Sequence, residues 1–221
     1  MSYSAEQSAI MDSIISRYPR KRSSIMPLLH FVQSISGYVT SEGIETIAAK
    51  LELSTAEVTA VSTFYTQYKS EPVGEYHVGI CTNTLCAVMG GDAIFDAVSD
   101  HLDIANDEMT SDGKVSLERI ECNAACDYAP VVMVNWEFFD NQTVQSAKDL
   151  VDGARAGNPP APTRGPKTLR TWKENSAVLA GLSDGLAGEG PSAGPRPART
   201  HHQRRRSDLT RHGLHPAAQT R

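Results

Sequence analysis

The 221-residue sequence has no long apolar run, few aromatic side chains and only four cysteines. No stretch approaches the roughly 18 consecutive apolar residues that a membrane span needs, so no direct membrane insertion is expected. Residues 1–7 also lack the basic start and apolar run of a secretory signal. Four cysteines without an export signal predict a reducing compartment, where metal or redox chemistry is more common than a disulfide framework.

The motifs of a nucleotide-binding site are missing as well. There is no G-x-x-x-x-G-K-[ST], and the glycines of residues 188–194 follow no predicted strand and are interrupted by Pro191. Neither pair of cysteines has the Cys-x-x-Cys spacing of a thioredoxin dithiol. We therefore expect that this chain alone binds neither NADH nor a flavin.

The formal net charge of −5 is unevenly distributed along the chain. Residues 191–221 contain seven Arg and one acid, a net charge of +6, so residues 1–190 carry −11. An acidic body repels nucleic acid and anionic lipid, and neither is expected as its partner. Because the basic end lacks apolar periodicity, residues 183–221 are predicted to be a disordered basic tail.

Residues 1–72 are predicted to form an N-terminal helical bundle. Ser54 followed by Glu57 is a capping box at the start of a fourth helix, and Gly37 is placed to end the second helix. The apolar positions of the second and third helices follow the i, i+3, i+4, i+7 pattern, and they are Ile25, Leu28, Leu29, Val32, Ile44, Ile47, Ala48 and Leu51.

Residues 73–155 are predicted to form an α/β domain in the order β-α-β-β-α. Strands are predicted at residues 76–80, 115–121 and 131–134, with Phe138 and Phe139 extending the sheet, and helices at residues 94–102 and 144–151. This order is typical of a small sandwich of the thioredoxin type. Residues 156–182 are predicted as a linker followed by one short helix around Trp172, which we interpret as a core residue.

All four cysteines lie in the α/β segment, in two pairs. Four residues separate Cys81 from Cys86, and three separate Cys122 from Cys126. Each pair adjoins the end of a predicted strand, so neighbouring strands can bring all four thiols to one edge of the sheet. The histidines His30, His77 and His101 lack metal-ligand spacing and are interpreted as ordinary core or surface residues.

Four thiolates that come together in a reducing compartment bind either zinc or an iron–sulfur cluster. Structural zinc sites usually have two residues between paired cysteines, because one tight turn then directs both sulfurs at a single ion. The wider gaps found here favour a [2Fe–2S] cluster in which each iron takes one pair. Zinc, a disulfide and buried structural cysteines are the alternatives.

The segments around both cysteine pairs resemble the thioredoxin-like ferredoxin family. They are residues 78–86, VGICTNTLC, and residues 121–135, ECNAACDYAPVVMVN. Within this family, the sequence is similar to the small [2Fe–2S] subunit of the NADH dehydrogenase module of respiratory complex I. One departure is Ala124, where many members have glycine, and a positive φ at that position would be strained by a methyl group.

This resemblance implies an oxidoreductase subunit that transfers single electrons through one [2Fe–2S] cluster. It implies that FMN and NADH bind a larger partner subunit, that an adjacent iron–sulfur subunit is a second partner, and that the chain lies in the cytoplasmic, peripheral arm of a membrane-associated complex. Glu121 and Asp127 add negative charge, which favours a low reduction potential. The implied cluster ligands are Cys81, Cys86, Cys122 and Cys126.

Three alternatives to this function stay open at this point. The first is the small [2Fe–2S] subunit of an NAD-linked hydrogenase or formate dehydrogenase. The second is a stand-alone ferredoxin-like carrier, although the long helical N-terminus favours a docked subunit over a free carrier. The third is a zinc-stabilised interaction domain, which would be a colourless metal-bound protein.

Overall fold

The computed structural model describes residues 3–186 and 188–190. Most of the predicted disordered tail, namely residues 187 and 191–221, lies outside these residues, so the prediction of disorder there stays a prediction. Within the described part of the predicted tail, the Asp184 carboxylate pairs with the buried guanidinium of Arg170. No helix within the described residues is long and apolar enough to cross a membrane.

Four helices form the N-terminal part, as predicted, and they are α1 (Ala5–Ser16), α2 (Ile25–Ser36), α3 (Ser41–Leu51) and α4 (Thr55–Phe64). The predicted capping box is present, because Ser54 and Glu57 each accept the other's backbone N–H. Gly37 ends α2 in the left-handed conformation, with φ +89°. The apolar faces meet in one core, which includes Met11, Ile14, Leu28, Leu29, Val32, Ile47 and Val58.

A five-stranded sheet follows, in the spatial order β2-β3-β1-β4-β5. Its strands are β1 (Tyr76–Cys81), β2 (Glu108–Met109), β3 (Val115–Ile120), β4 (Val132–Val134) and β5 (Glu137–Phe139). The central strand β1 is parallel to β3, with Tyr76 opposite Val115 and Cys81 opposite Ile120, and antiparallel to β4. The carboxyl ends of β1 and β3 therefore lie side by side at one edge of the sheet.

Helices cover the sheet and connect it to the bundle. They are α5 (Thr84–Val88), α6 (Gly91–Leu102), α7 (Val144–Arg155) and α8 (Trp172–Leu179). Helices α6 and α7 pack against each other above the apolar side of the sheet. Helix α8 corresponds to the predicted short helix, and it packs on α2 of the bundle. The interpretation of Trp172 as a core residue is confirmed, because only 2% of it is exposed.

Candidate metal centre

Two loops carry the cysteines, and both start at the edge where β1 and β3 end. Cys81 is the last residue of β1, and Cys122 follows the end of β3 by two residues. Cys86 lies on the short helix α5, and Cys126 begins a single 3-10 turn. All four side chains line one cleft of about 320 Å³. The structure thus brings together the four thiols that the sequence predicted to share one edge.

Within the cleft the thiols form an inner pair and an outer pair. The inner pair is buried, since Cys81 is 2% exposed and Cys86 is 3% exposed. The outer pair, Cys122 and Cys126, is exposed, and its sulfur atoms lie 3.4 Å apart. All four cysteines are free, so the structure contains no disulfide among them. The pairing follows the sequence pairs, as a two-iron cluster with one pair on each iron requires.

Burial and crowding oppose the charged form of these thiols. Burial, together with the neighbouring thiols of Cys86 and Cys122, raises the pKa of Cys81 to about 11, against the opposing effect of the Asn83 backbone. The Cys122 thiol raises the pKa of Cys126. Thiolates packed this closely are stable only beside positive charge, which is the condition that bound metal provides.

The donor set also distinguishes between kinds of metal centre. Among the described residues, no three or more His, Cys, Asp or Glu side chains have the arrangement that surrounds one metal ion. Four thiols along one cleft nevertheless match the ligand number of a [2Fe–2S] cluster, which is larger than a single ion and takes four thiolates. The residues present therefore fit a two-iron cluster.

The outer loop bends through a left-handed residue at Ala124. Its φ is +56°, so the strained conformation considered from the sequence is present in this chain. The bend directs the backbone N–H of Ala124 at the Cys122 sulfur, at 3.4 Å. An N–H that donates to sulfur stabilises thiolate charge. The strained conformation of Ala124 therefore supports the charged form of Cys122.

Gly91 supports the inner pair, a role that was not predicted from the sequence. A Cβ atom at Gly91 would lie 2.5 Å from the carbonyl oxygen of Cys81 and 2.9 Å from that of Cys86. Helix α6 can therefore start directly against the cysteine loop only because residue 91 has no side chain. The available signal was the Gly90-Gly91 pair that follows the first cysteine pair.

His30, His77 and His101 are not among the residues that line the cleft. His77 is a buried residue of β1, with Nδ1 2.8 Å from the Ser116 hydroxyl and Nε2 2.7 Å from the Glu118 carboxylate. Burial lowers its pKa, so the ring is neutral. Glu118 also binds Lys69, whose Nζ is 2.5 Å away. This group joins the segment after α4 to the sheet.

Comparison with known proteins identifies the family. A family model for thioredoxin-like [2Fe–2S] ferredoxins matches residues 11–155. The chain belongs to the thioredoxin-like [2Fe–2S] ferredoxin family. Within this ferredoxin family, it is 59% identical over 177 residues to the NADH-quinone oxidoreductase subunit designated E in Mycobacterium tuberculosis, and the match covers 80% of this chain and 70% of that protein.

More distant relatives agree with this family. The ferredoxin chain is 33% identical over 160 residues to the NADH-quinone oxidoreductase subunit 2 of Thermus thermophilus, and the match covers 71% of this chain and 88% of that protein. A crystal structure of NAD+-reducing [NiFe]-hydrogenase in the air-oxidized state matches 61% of this chain and 23% of its own chain, with a TM-score of 0.54. At 17% sequence identity, that likeness concerns the fold alone.

Proposed function

We propose that this ferredoxin chain is the electron-transfer subunit of the NADH dehydrogenase module of an NADH-quinone oxidoreductase. The observation that carries the proposal is the cleft at the ends of β1 and β3, where four free thiols stand in two pairs. Relatives named as subunits of NADH-quinone oxidoreductase support the assignment. The proposed ligands of one [2Fe–2S] cluster are Cys81, Cys86, Cys122 and Cys126.

Each part of the chain contributes differently to such a centre. When bound, the cluster takes up and releases one electron at a time. The buried inner pair, Cys81 and Cys86, keeps water away from one side of the cleft, while the exposed outer pair leaves the other side open to a partner. The backbone N–H of Ala124 donates to the Cys122 sulfur and so stabilises its thiolate charge. The backbone of Asn83 lowers the pKa of Cys81, which has the same effect on that thiolate.

The open side of the cleft is the proposed contact with a larger partner subunit. Leu85 and Val88 line the cleft together with the cysteines, and they are 43% and 80% exposed. Electron exchange requires close approach, so we propose that the subunit binding FMN and NADH covers this apolar rim. We further propose an adjacent iron–sulfur subunit as a second neighbour, and a position in the peripheral arm at the cytoplasmic face of the membrane.

We also propose that the chain divides as its sequence suggests. Residues 1–72 form the helical unit and residues 73–155 the cluster-binding unit, followed by the linker and short helix of residues 156–182 and the tail of residues 183–221. The separate apolar cores of the bundle and of the sheet support the first boundary.

The decisive experiment is anaerobic purification of the full chain by itself, so that no neighbouring iron–sulfur subunit contributes iron or an EPR signal. We expect about two irons and two sulfides per chain, and an S = ½ EPR signal only after reduction. Cys86→Ser or Cys122→Ser should lose or alter this signal. Thr84→Ala changes a side chain of the same cleft without removing a sulfur, and it should leave the signal unchanged.

Two results would contradict the proposal. Stoichiometric zinc without visible absorption would favour the zinc-stabilised interaction domain. Micromolar NADH binding by the isolated chain in calorimetry would show that the nucleotide site is not confined to a partner subunit.

A further inference from the structure

Asn83 touches both cysteine loops. Its backbone N–H lies near the Cys81 thiol of the inner pair and lowers the pKa of that thiol. Its side-chain Oδ1 accepts the backbone N–H of Cys122 in the outer pair, at 3.0 Å, across 39 residues of sequence. One half-buried residue thus links the two loops whose separation determines the width of the cleft.

The position of Asn83 at the start of α5 favours a capping hydrogen bond within that helix. Asn83 is the N-cap residue of α5, with φ −78° and ψ 163°, and asparagine is among the preferred N-caps because its oxygen accepts an N–H of the first turn. Here the side chain makes no capping hydrogen bond. Within residues 3–186, five other helices are capped by their N-cap side chains, which belong to Ser4, Thr40, Ser54, Thr143 and Thr171. Helix α5 therefore has no side-chain cap, and the Asn83 side chain accepts a hydrogen bond from the second cysteine loop instead.

The loop that Asn83 reaches is irregular, and its buried apolar contact with the inner pair is Ala125 at its far end. Residues 121–125 contain no helix or strand, and Cys122 is exposed. The other asparagine of this region, Asn123, bonds only within the loop, from Nδ2 to the carbonyl oxygen of Glu121 at 3.0 Å. Packing of Ala125 holds the far end of the loop, whereas the Asn83 hydrogen bond fixes the ligand residue Cys122 itself relative to the inner pair.

We propose that Asn83 is a positioning residue that holds the two cysteine pairs at the spacing of the cluster. This inference rests on the proposed function, in which all four cysteines are ligands. A [2Fe–2S] cluster has a fixed size. If the distance between the two cysteine loops changes, the cysteines therefore bind the cluster less tightly and alter its electronic structure.

The test compares three variants of the full chain, with cluster content and EPR as measurements. Asn83→Ala removes the acceptor, and we expect cluster loss to a chelator to be about tenfold faster, as one hydrogen bond is worth roughly this factor. We also expect shifted g values. Asn83→Asp keeps an acceptor at the same place, so it should restore retention and g values while the added negative charge lowers the midpoint potential. Asn123→Ala, the matched control, should behave as the wild type.

The outcomes separate this inference from the function on which it rests. A wild-type chain that holds no [2Fe–2S] cluster contradicts the proposed function. A wild-type chain with a cluster, and an Asn83→Ala variant with unchanged retention and g values, overturns the role of Asn83 alone. If Asn83→Ala does not fold, Asn83→Asp decides: normal retention supports the bridge, and poor retention in a folded Asp variant overturns it.

Discussion

Ala124 shows how one residue combines backbone strain with support for a ligand. It holds a left-handed conformation, φ +56°, while its N–H donates to the Cys122 sulfur. This conformation costs a residue with a Cβ atom about 1–2 kcal/mol. Glycine avoids that strain but loses more conformational freedom on folding, which offsets about 0.4–1 kcal/mol of the gain. The strain term is the larger of the two.

We therefore predict that Ala124→Gly raises the free energy of unfolding by about 0.5–1 kcal/mol, measured by urea denaturation. The control is Ala125→Gly. Ala125 has a negative φ of −110° and is buried, so its replacement should lower the free energy of unfolding by about 1 kcal/mol. A loss of stability in both variants would show that residue 124 is not strained.

At the scale of single elements, pattern strength explains what the sequence could predict. Helix α7 buries one regular apolar face, and its start at residue 144 was predicted, although it continues four residues beyond the predicted end at residue 151. The two-residue strand β2 and the five-residue helix α5 carry too few residues to show a period, so they were missed. The meeting of the four cysteines followed from the ends of two parallel strands. The roles of Asn83 and Gly91 depend on contacts between loops, which no local pattern records.

Helix α2 also buries a titratable side chain. His30 is 5% exposed, its Nδ1 atom has no hydrogen-bond partner within the described residues, and its ring lies 4.8 Å from that of Tyr68. Burial lowers its pKa to about 4, against a smaller opposing effect of a hydrogen bond with Gln67. The folded protein therefore keeps His30 neutral at a pH where the unfolded chain binds a proton.

This difference predicts a loss of stability in acid. Below about pH 6.5, the ordinary pKa of histidine, the unfolded state takes up a proton that the folded state does not, until the pH reaches the folded pKa. Between pH 7 and pH 5, His30 should lower the free energy of unfolding by about 2 kcal/mol, measured by urea denaturation at each pH.

His30→Gln should remove this part of the pH dependence, whatever its effect on stability at pH 7. The control is the surface variant His101→Gln on α6, which retains His30 and should therefore keep the part of the pH dependence that is due to His30. Equal slopes against pH for wild type and His30→Gln would show that His30 is not the group responsible.

At the scale of the whole molecule, helix α8 connects the sheet to the N-terminal bundle. After the sheet is complete, the chain returns to the bundle, where Gln33 Nε2 of α2 donates to the Ser176 hydroxyl at 3.3 Å. Asn175 of the same helix donates to the carbonyl oxygen of Asn135 at the β4–β5 turn. The sequence predicted a short helix here but not its packing partners, because those lie more than a hundred residues away in α2. Helix α8 thus joins the two cores that are otherwise separate.

Trp172 is the side chain of α8 that contacts both parts. Its indole N–H donates to the carbonyl oxygen of Gly37 at the end of α2, at 2.6 Å. Its ring centre lies 5.3 Å from that of His77 on β1 and 6.5 Å from that of Trp136 at the β4–β5 turn. The residue is therefore both a hydrogen-bond donor to the bundle and a packing surface for the sheet.

We predict that the two roles of Trp172 can be separated by substitution. Trp172→Phe keeps an aromatic ring but leaves the Gly37 carbonyl oxygen unpaired, so the free energy of unfolding should fall by about 1–3 kcal/mol. Trp172→Ala also removes the packing surface, and the loss should reach about 3–5 kcal/mol. Lys173→Ala, which removes an exposed contact of the next residue, should change stability by less than about 0.5 kcal/mol. Because Trp172 lies at the end of β1 opposite Cys81, the EPR signal should stay unchanged in the folded Phe variant, and an altered signal would show that this junction also shapes the cysteine cleft.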